Sequence, residues 1–129
     1  MYKKSLILNT PPETRSFLSG YKGLIEIPEL TAGSMVQYDQ INSDAIKTGI
    51  KRYGWFNSFN VLNQSDQDLT VLLDFENSKT YIIPAGNSMS VSDVMFERVQ
   101  LENNDSSTIS SGLAKIYCIY ERPQVRELI

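Results

Sequence analysis

From Phe59 to Val94 the chain reads as short runs of alternating apolar and polar residues cut by polar turns. Leu69, Val71, Leu73 and Phe75 occupy every second position, the spacing that puts side chains on one face of a β-strand. Met89 and Val91 do the same against Ser88, Ser90 and Ser92. Asn63-Gln64-Ser65-Asp66, Glu76-Asn77-Ser78 and Pro84-Ala85-Gly86 are turn sequences between the runs. The turns recur too often for helices of ordinary length, and the pattern continues on both sides of the block. Strands are predicted at 21–27, 34–40, 55–63, 69–75, 80–83, 88–94, 98–102 and 112–121. Repeated short strands at this spacing imply an all-β fold, an antiparallel, jelly-roll-like β-sandwich of about eight strands.

Two regions depart from the pattern. Residues 1–20 read as an extended N-terminal arm, with 21–129 as the sandwich domain. Leu6-Ile7-Leu8 has the makings of one short strand, and Pro11-Pro12 then imposes extended geometry. Residues 41–54 allow a short helix with Ser43 as cap and Gly54 as terminator. Thr48-Gly49 and the β-branched residues argue instead for a loop or a single helical turn leading into a strand.

The last strand is unusual in being apolar on both faces. Leu113, Tyr117 and Ile119 share one side, Ala114, Ile116, Cys118 and Tyr120 the other. A sandwich strand with one side in water alternates, so something is expected to cover the second side. The arm, the 41–54 region and another subunit are the candidates, with the domain's own segments favoured. Leu6, Ile7, Leu8, Pro11, Pro12, Leu113, Tyr117 and Ile119 are the expected interface residues.

The chain has 129 residues, enough for one domain with a core of its own. Its net charge of −3 argues against nucleic-acid binding, which needs a basic footprint. Residues 1–60 carry seven Lys/Arg against five Asp/Glu, and residues 61–129 five against ten. That split would favour association between copies, although a small chain acquires such a split by accident as well. No apolar run approaches membrane-spanning length and no secretory signal is apparent, so a soluble protein made in the cytoplasm is expected.

The chemistry is mostly excluded. With no His, His-based triads and His metal sites are out. Cys118 stands alone in an apolar run and reads as a small core residue. Asp66/Asp68 and Asp74/Glu76 flank turns, and are read as turn residues rather than as a glycosidase pair or calcium ligands. Asn63-Gln64-Ser65 and Asn104-Asp105-Ser106 match the glycosylation sequon, as chance allows in an Asn/Ser-rich chain. Lys51, Arg52, Tyr53, Trp55 and Phe56 mix cations with aromatics and form an alternative ligand platform for a sugar, phosphate or base. The competing reading puts Trp55 and Phe56 in the core. No catalytic residue, cofactor or metal site is expected.

The pieces Asn63–Ser65, Leu69–Phe75, Pro84–Gly86 and Asn103–Ser107 together resemble small β-sandwich proteins of tailed-phage and other viral particles. The resemblance covers the second half of the chain and brings no functional residues with it. It implies a non-enzymatic virion component: a capsid decoration or cement protein, a head-fibre base or a minor capsid subunit. Its partners would be further copies of the chain or capsid proteins. The alternative is a carbohydrate- or receptor-binding module. Neither nucleic acid nor a membrane is expected as a partner.

Overall fold

The computed structural model describes residues 20–74 and 80–122. Eight strands follow in order: β1 (Gly20–Glu26), β2 (Met35–Tyr38), β3 (Phe56–Asn63), β4 (Leu69–Leu73), β5 (Thr80–Ile83), β6 (Ser88–Phe96), β7 (Val99–Glu102) and β8 (Ala114–Glu121), with one helix, α1 (Asp44–Tyr53), between β2 and β3. They form two four-stranded antiparallel sheets, ordered β1-β8-β3-β6 and β2-β7-β4-β5. Apart from the β4–β5 hairpin, successive strands pass back and forth between the sheets, the double Greek-key arrangement of a jelly roll. The expected fold class is therefore the observed one. Of the expected arm, only Gly20 is among the described residues, and it opens β1.

The core lies between the sheets. Phe59, Val61, Ile116, Cys118 and Ile25 from the first sheet meet Leu69, Val71, Leu73, Leu101 and Val99 from the second. Phe96 joins them, its ring 5.3 Å from Phe56 and edge-on to Phe59 at 6.1 Å. The two inner faces supply this layer because alternate residues of each strand point inward.

β6 shows how that alternation survives an irregularity. Ser58 pairs with Ser92, but Phe56 pairs with Phe96, so β6 spends extra residues over the same span of β3. Asp93 sits at this bulge with φ 61°. The bulge shifts the parity, so that Val94 and Phe96 turn inward after Met89 and Val91 have done so before it.

The region 41–54 differs from the expected loop. Ser43 caps a helix of 10 residues, its hydroxyl accepting from the Ile46 N–H at 3.3 Å. Gly54, at φ 91°, ends it and donates to the Ile50 carbonyl at 2.8 Å. Lys51 and Arg52 lie in the last turn, where the helix dipole favours cations. The low helix propensity of Thr48-Gly49 is overridden by packing. A Cβ on Gly49 would lie 2.5 Å from the Phe56 ring, so glycine is what lets the helix approach. With Ile46 wholly buried, α1 packs on the inward-facing side of the first sheet.

Candidate functional site

The outer face of the β1-β8-β3-β6 sheet is the candidate interaction surface. Its residues follow from the strand registers. One cross-strand row runs Lys22, Ile119, Ser58, Ser92; the next Leu24, Tyr117, Asn60, Ser90; the third Glu26, Lys115, Leu62, Ser88. Leu24 is 42% exposed, while Tyr117, Ile119 and Leu62 are half-buried by their neighbours. The Lys22 ammonium lies 5.2 Å from the centre of the Tyr117 ring, a cation–π contact. The result is a small apolar patch of Leu24, Tyr117, Ile119 and Leu62, edged by Lys22, Glu26, Lys115, Asn60 and the serines of β6.

This geometry refines the reading of the last strand. Ala114, Ile116 and Cys118 face the core, as one of its two apolar sides must. Tyr117 and Ile119 lie on the outer face as expected, whereas Leu113 precedes the strand in the turn and is 39% exposed. The expected cover from 41–54 is not there: α1 packs on the opposite side, since Tyr21, Gly23 and Phe56, which it touches, all point inward. Among the described residues no other element lies over the outer face. Leu6, Ile7, Leu8, Pro11 and Pro12 are outside the described residues.

The alternative ligand platform is split by the fold. Phe56 is fully buried and unavailable to any ligand: it has the parity of the outward-facing Ser58, but the register shift between the two turns it inward against α1 at Gly49. Tyr53 stacks on Tyr120 with ring centres 4.3 Å apart and planes 9° from parallel. Lys51, Arg52 and Trp55 remain exposed, with Trp55 just ahead of β3 rather than within it.

The acidic turns are occupied by backbone. Asp105 accepts from the N–H groups of Asp68 at 2.9 Å and Ser106 at 2.8 Å. These bonds, that from Asp68 foremost, hold its carboxyl below the usual aspartate value. Asp68 accepts from the Ala85 N–H at 3.1 Å. Asp74 accepts from the Glu97 N–H and pairs with the Arg98 guanidinium at 3.5 Å, in the lining of a surface groove of about 230 Å³ that also includes Leu72 and Val99. Glu76 is outside the described residues. Among the described residues no three of Cys, Asp and Glu converge as metal ligands would. Burial pushes the Cys118 thiol up to about 12, so the thiolate that a nucleophile or metal ligand needs does not form at neutral pH. Burial likewise raises Tyr21, whose hydroxyl donates to the Ala45 carbonyl at 2.8 Å.

Fold and surface together define a β-sandwich of jelly-roll order with one partly apolar sheet face over which no described element lies. No protein-family model matches the sequence, and no curated protein matches it. Among solved structures, the chain is similar to the EutQ protein of Clostridium difficile, at 12% identity and TM-score 0.35, over 80% of this chain and 57% of that one. It is also similar to a putative ethanolamine utilization protein Q from Salmonella typhimurium LT2, at 10% identity and TM-score 0.37, over 79% and 71%. The chain thus spans little more than half the length of the first. Neither is a virion protein. The expected kinship with small viral sandwiches is corrected accordingly, and with it the role as capsid decoration, cement, head-fibre base or minor capsid subunit, the capsid partners and the virion location. The motifs behind that resemblance are turns and alternating strands, which any sandwich must contain. Among the described residues no helix is long and apolar enough to cross a membrane.

Proposed function

We propose that the protein is a non-catalytic subunit that works by associating with further copies of itself through the β1-β8-β3-β6 sheet. The observation that supports this is the placement of Tyr117 and Ile119 on a strand inside that sheet, facing outward beside Leu24 with no described element over them. A sheet face turned to water ordinarily carries polar residues at such positions. An apolar centre with a charged and amide rim is the make-up of a protein–protein contact. The chemistry supports the same reading from the other side. The chain has no His, its thiol is buried, and the carboxylates of Asp68 and Asp105 are bonded to backbone amides of their own and neighbouring loops.

Sedimentation velocity across a range from micromolar to millimolar protein tests the reading. The expected result is a concentration-dependent shift from monomer to a larger species. Leu24→Lys should suppress that shift while leaving the circular dichroism spectrum unchanged. A strict monomer throughout the range overturns the proposal.

A further inference from the structure

We infer that two copies of the chain join by their β1 strands, antiparallel about Leu24, so that the two β1-β8-β3-β6 sheets become one continuous eight-stranded sheet. The inference rests on the proposed self-association and specifies how it occurs.

Among the described residues β1 is an edge strand, paired on one side only, with β8. Which of its backbone groups remain free follows from one bond. Ile27, just past the strand, donates its N–H to the Ala114 carbonyl at 2.9 Å, in the same register as the strand pairs. In an antiparallel ladder the bonding residues alternate. Ile25, Gly23 and Tyr21 therefore address β8, and Glu26, Leu24 and Lys22 turn their N–H and C=O groups to the open edge. An edge of this length is a template for another strand.

The side chains choose the partner and the register. Lys22, Leu24 and Glu26 are all exposed and share the outer face. A two-fold axis at Leu24 sets Lys22 of one copy opposite Glu26 of the other, twice over, with the two Leu24 side chains between them. Opposite charges on directly facing residues stabilise a strand pair, and like charges oppose it. Centring the joint on Lys22 or Glu26 instead places like charges face to face; centring it on Gly23 or Ile25 leaves the charges facing Leu24. Inside its own subunit Glu26 faces Lys115 on β8, so Lys22 of the second copy becomes its second cationic neighbour. The joined sheet also brings the two apolar patches together, with Leu24 at the seam.

The full-length chain provides the test. Lys22→Glu and Glu26→Lys each replace both attractive contacts with like-charge pairs, and each should weaken dimerisation by about tenfold or more. Mixed in equal amounts, the two variants restore opposite charges at both contacts, so the mixture should dimerise where neither variant does alone. Leu24→Cys should form a disulfide-linked dimer under mild oxidation, since facing residues of such a pair have Cα atoms about 5.5 Å apart, within disulfide reach. The buried Cys118 does not compete. Folding of each variant is checked by circular dichroism. Self-association that persists without rescue on mixing and without the Leu24→Cys cross-link overturns the β1 joint but leaves the proposed function standing. Absence of any self-association in the unmodified protein overturns both.

Discussion

Asn63 and Asn103 make the same set of hydrogen bonds at the ends of two different strands. Each amide oxygen accepts from the N–H two residues on, of Ser65 and Asp105 respectively, at 3.1 Å. Each amide nitrogen donates to the carbonyl four residues on, of Gln67 at 2.7 Å and Ser107 at 2.8 Å. Each also reaches across to another segment, Asn63 to the Ile83 carbonyl at 3.0 Å and Asn103 to the Leu30 carbonyl at 2.8 Å. The two loops touch: the Gln67 side chain accepts from the Ser107 N–H at 3.0 Å. Both asparagines are buried, so their amides substitute for the water these turns would otherwise need.

Removing either amide strands several buried backbone groups at once. Asn63→Ala and Asn103→Ala should each lower stability by about 2–4 kcal/mol, since each buried group left unpaired costs about 1–3 kcal/mol. Urea denaturation followed by circular dichroism measures the loss. A change below about 0.5 kcal/mol would mean that water replaces the side chain at no cost. The burial of Asn63 also closes it, in the folded protein, to the glycosylation that its sequon suggests.

Asp105 makes this loop pair sensitive to acid. Its folded value lies below the ordinary aspartate value of 3.8, because the charged carboxylate accepts two backbone N–H groups. A lowered folded value means that the carboxylate's contribution is complete above the unfolded value and fades as pH falls through the folded one. Asp105→Asn should therefore be less stable than the native chain at neutral pH. The gap should close as the pH drops below 3.8. Thermal melts of both proteins across that range give the comparison; a gap independent of pH would remove the carboxylate charge as its cause.

Much of the sandwich was legible because its signal is local. Alternation and turn residues located all eight strands, and 80–83 agrees residue for residue with β5. What the sequence concealed depends on contacts distant along the chain. Thr48-Gly49 reads as a helix breaker until Phe56 is seen filling the space that a Cβ would occupy. Trp55 and Phe56 read as one aromatic pair, yet Trp55 is exposed ahead of β3 while the register shift between Phe56 and Ser58 turns Phe56 into the core. The candidate surface was half visible: Tyr117 and Ile119 stood out as apolar residues on the wrong side of a strand. Their neighbours Leu24, Asn60 and Leu62 emerge only from the pairing of β1, β8 and β3. The two asparagine loops looked like ordinary polar turns, because nothing local distinguishes a buried Asn from an exposed one.

The bulge at Asp93 predicts a stabilising change. Its φ of 61° lies in the left-handed region, which costs an L-residue about 1–2 kcal/mol and which Asp tolerates better than most. Asp93→Gly should be neutral or stabilising by up to about 1 kcal/mol, whereas Asp93→Val should destabilise by about 1–2 kcal/mol. Melting temperatures order the three proteins. A less stable glycine variant would show that the Asp side chain contributes more than its backbone strain costs.

The contact between Gly49 and Phe56 sets two propensities against each other. In an exposed helix, Gly→Ala is worth about 1 kcal/mol in favour of the helix. Here the new methyl would meet Phe56 Cε1 and Cζ at 2.5 Å, and the ring, wedged between Phe96 and Tyr21, has little room to retreat. Overpacking of this kind costs about 1–3 kcal/mol, so Gly49→Ala should be neutral to about 2 kcal/mol less stable. Phe56→Leu alone should cost about 1–2 kcal/mol through the space it leaves. Combined, the methyl of one enters the space left by the other, and the double variant should be more stable than the sum of the single effects allows, by about 1 kcal/mol. Urea denaturation of the four proteins completes the cycle. Strict additivity would show that the helix shifts away from the sheet to accept the methyl, and that Gly49 is not what holds it close.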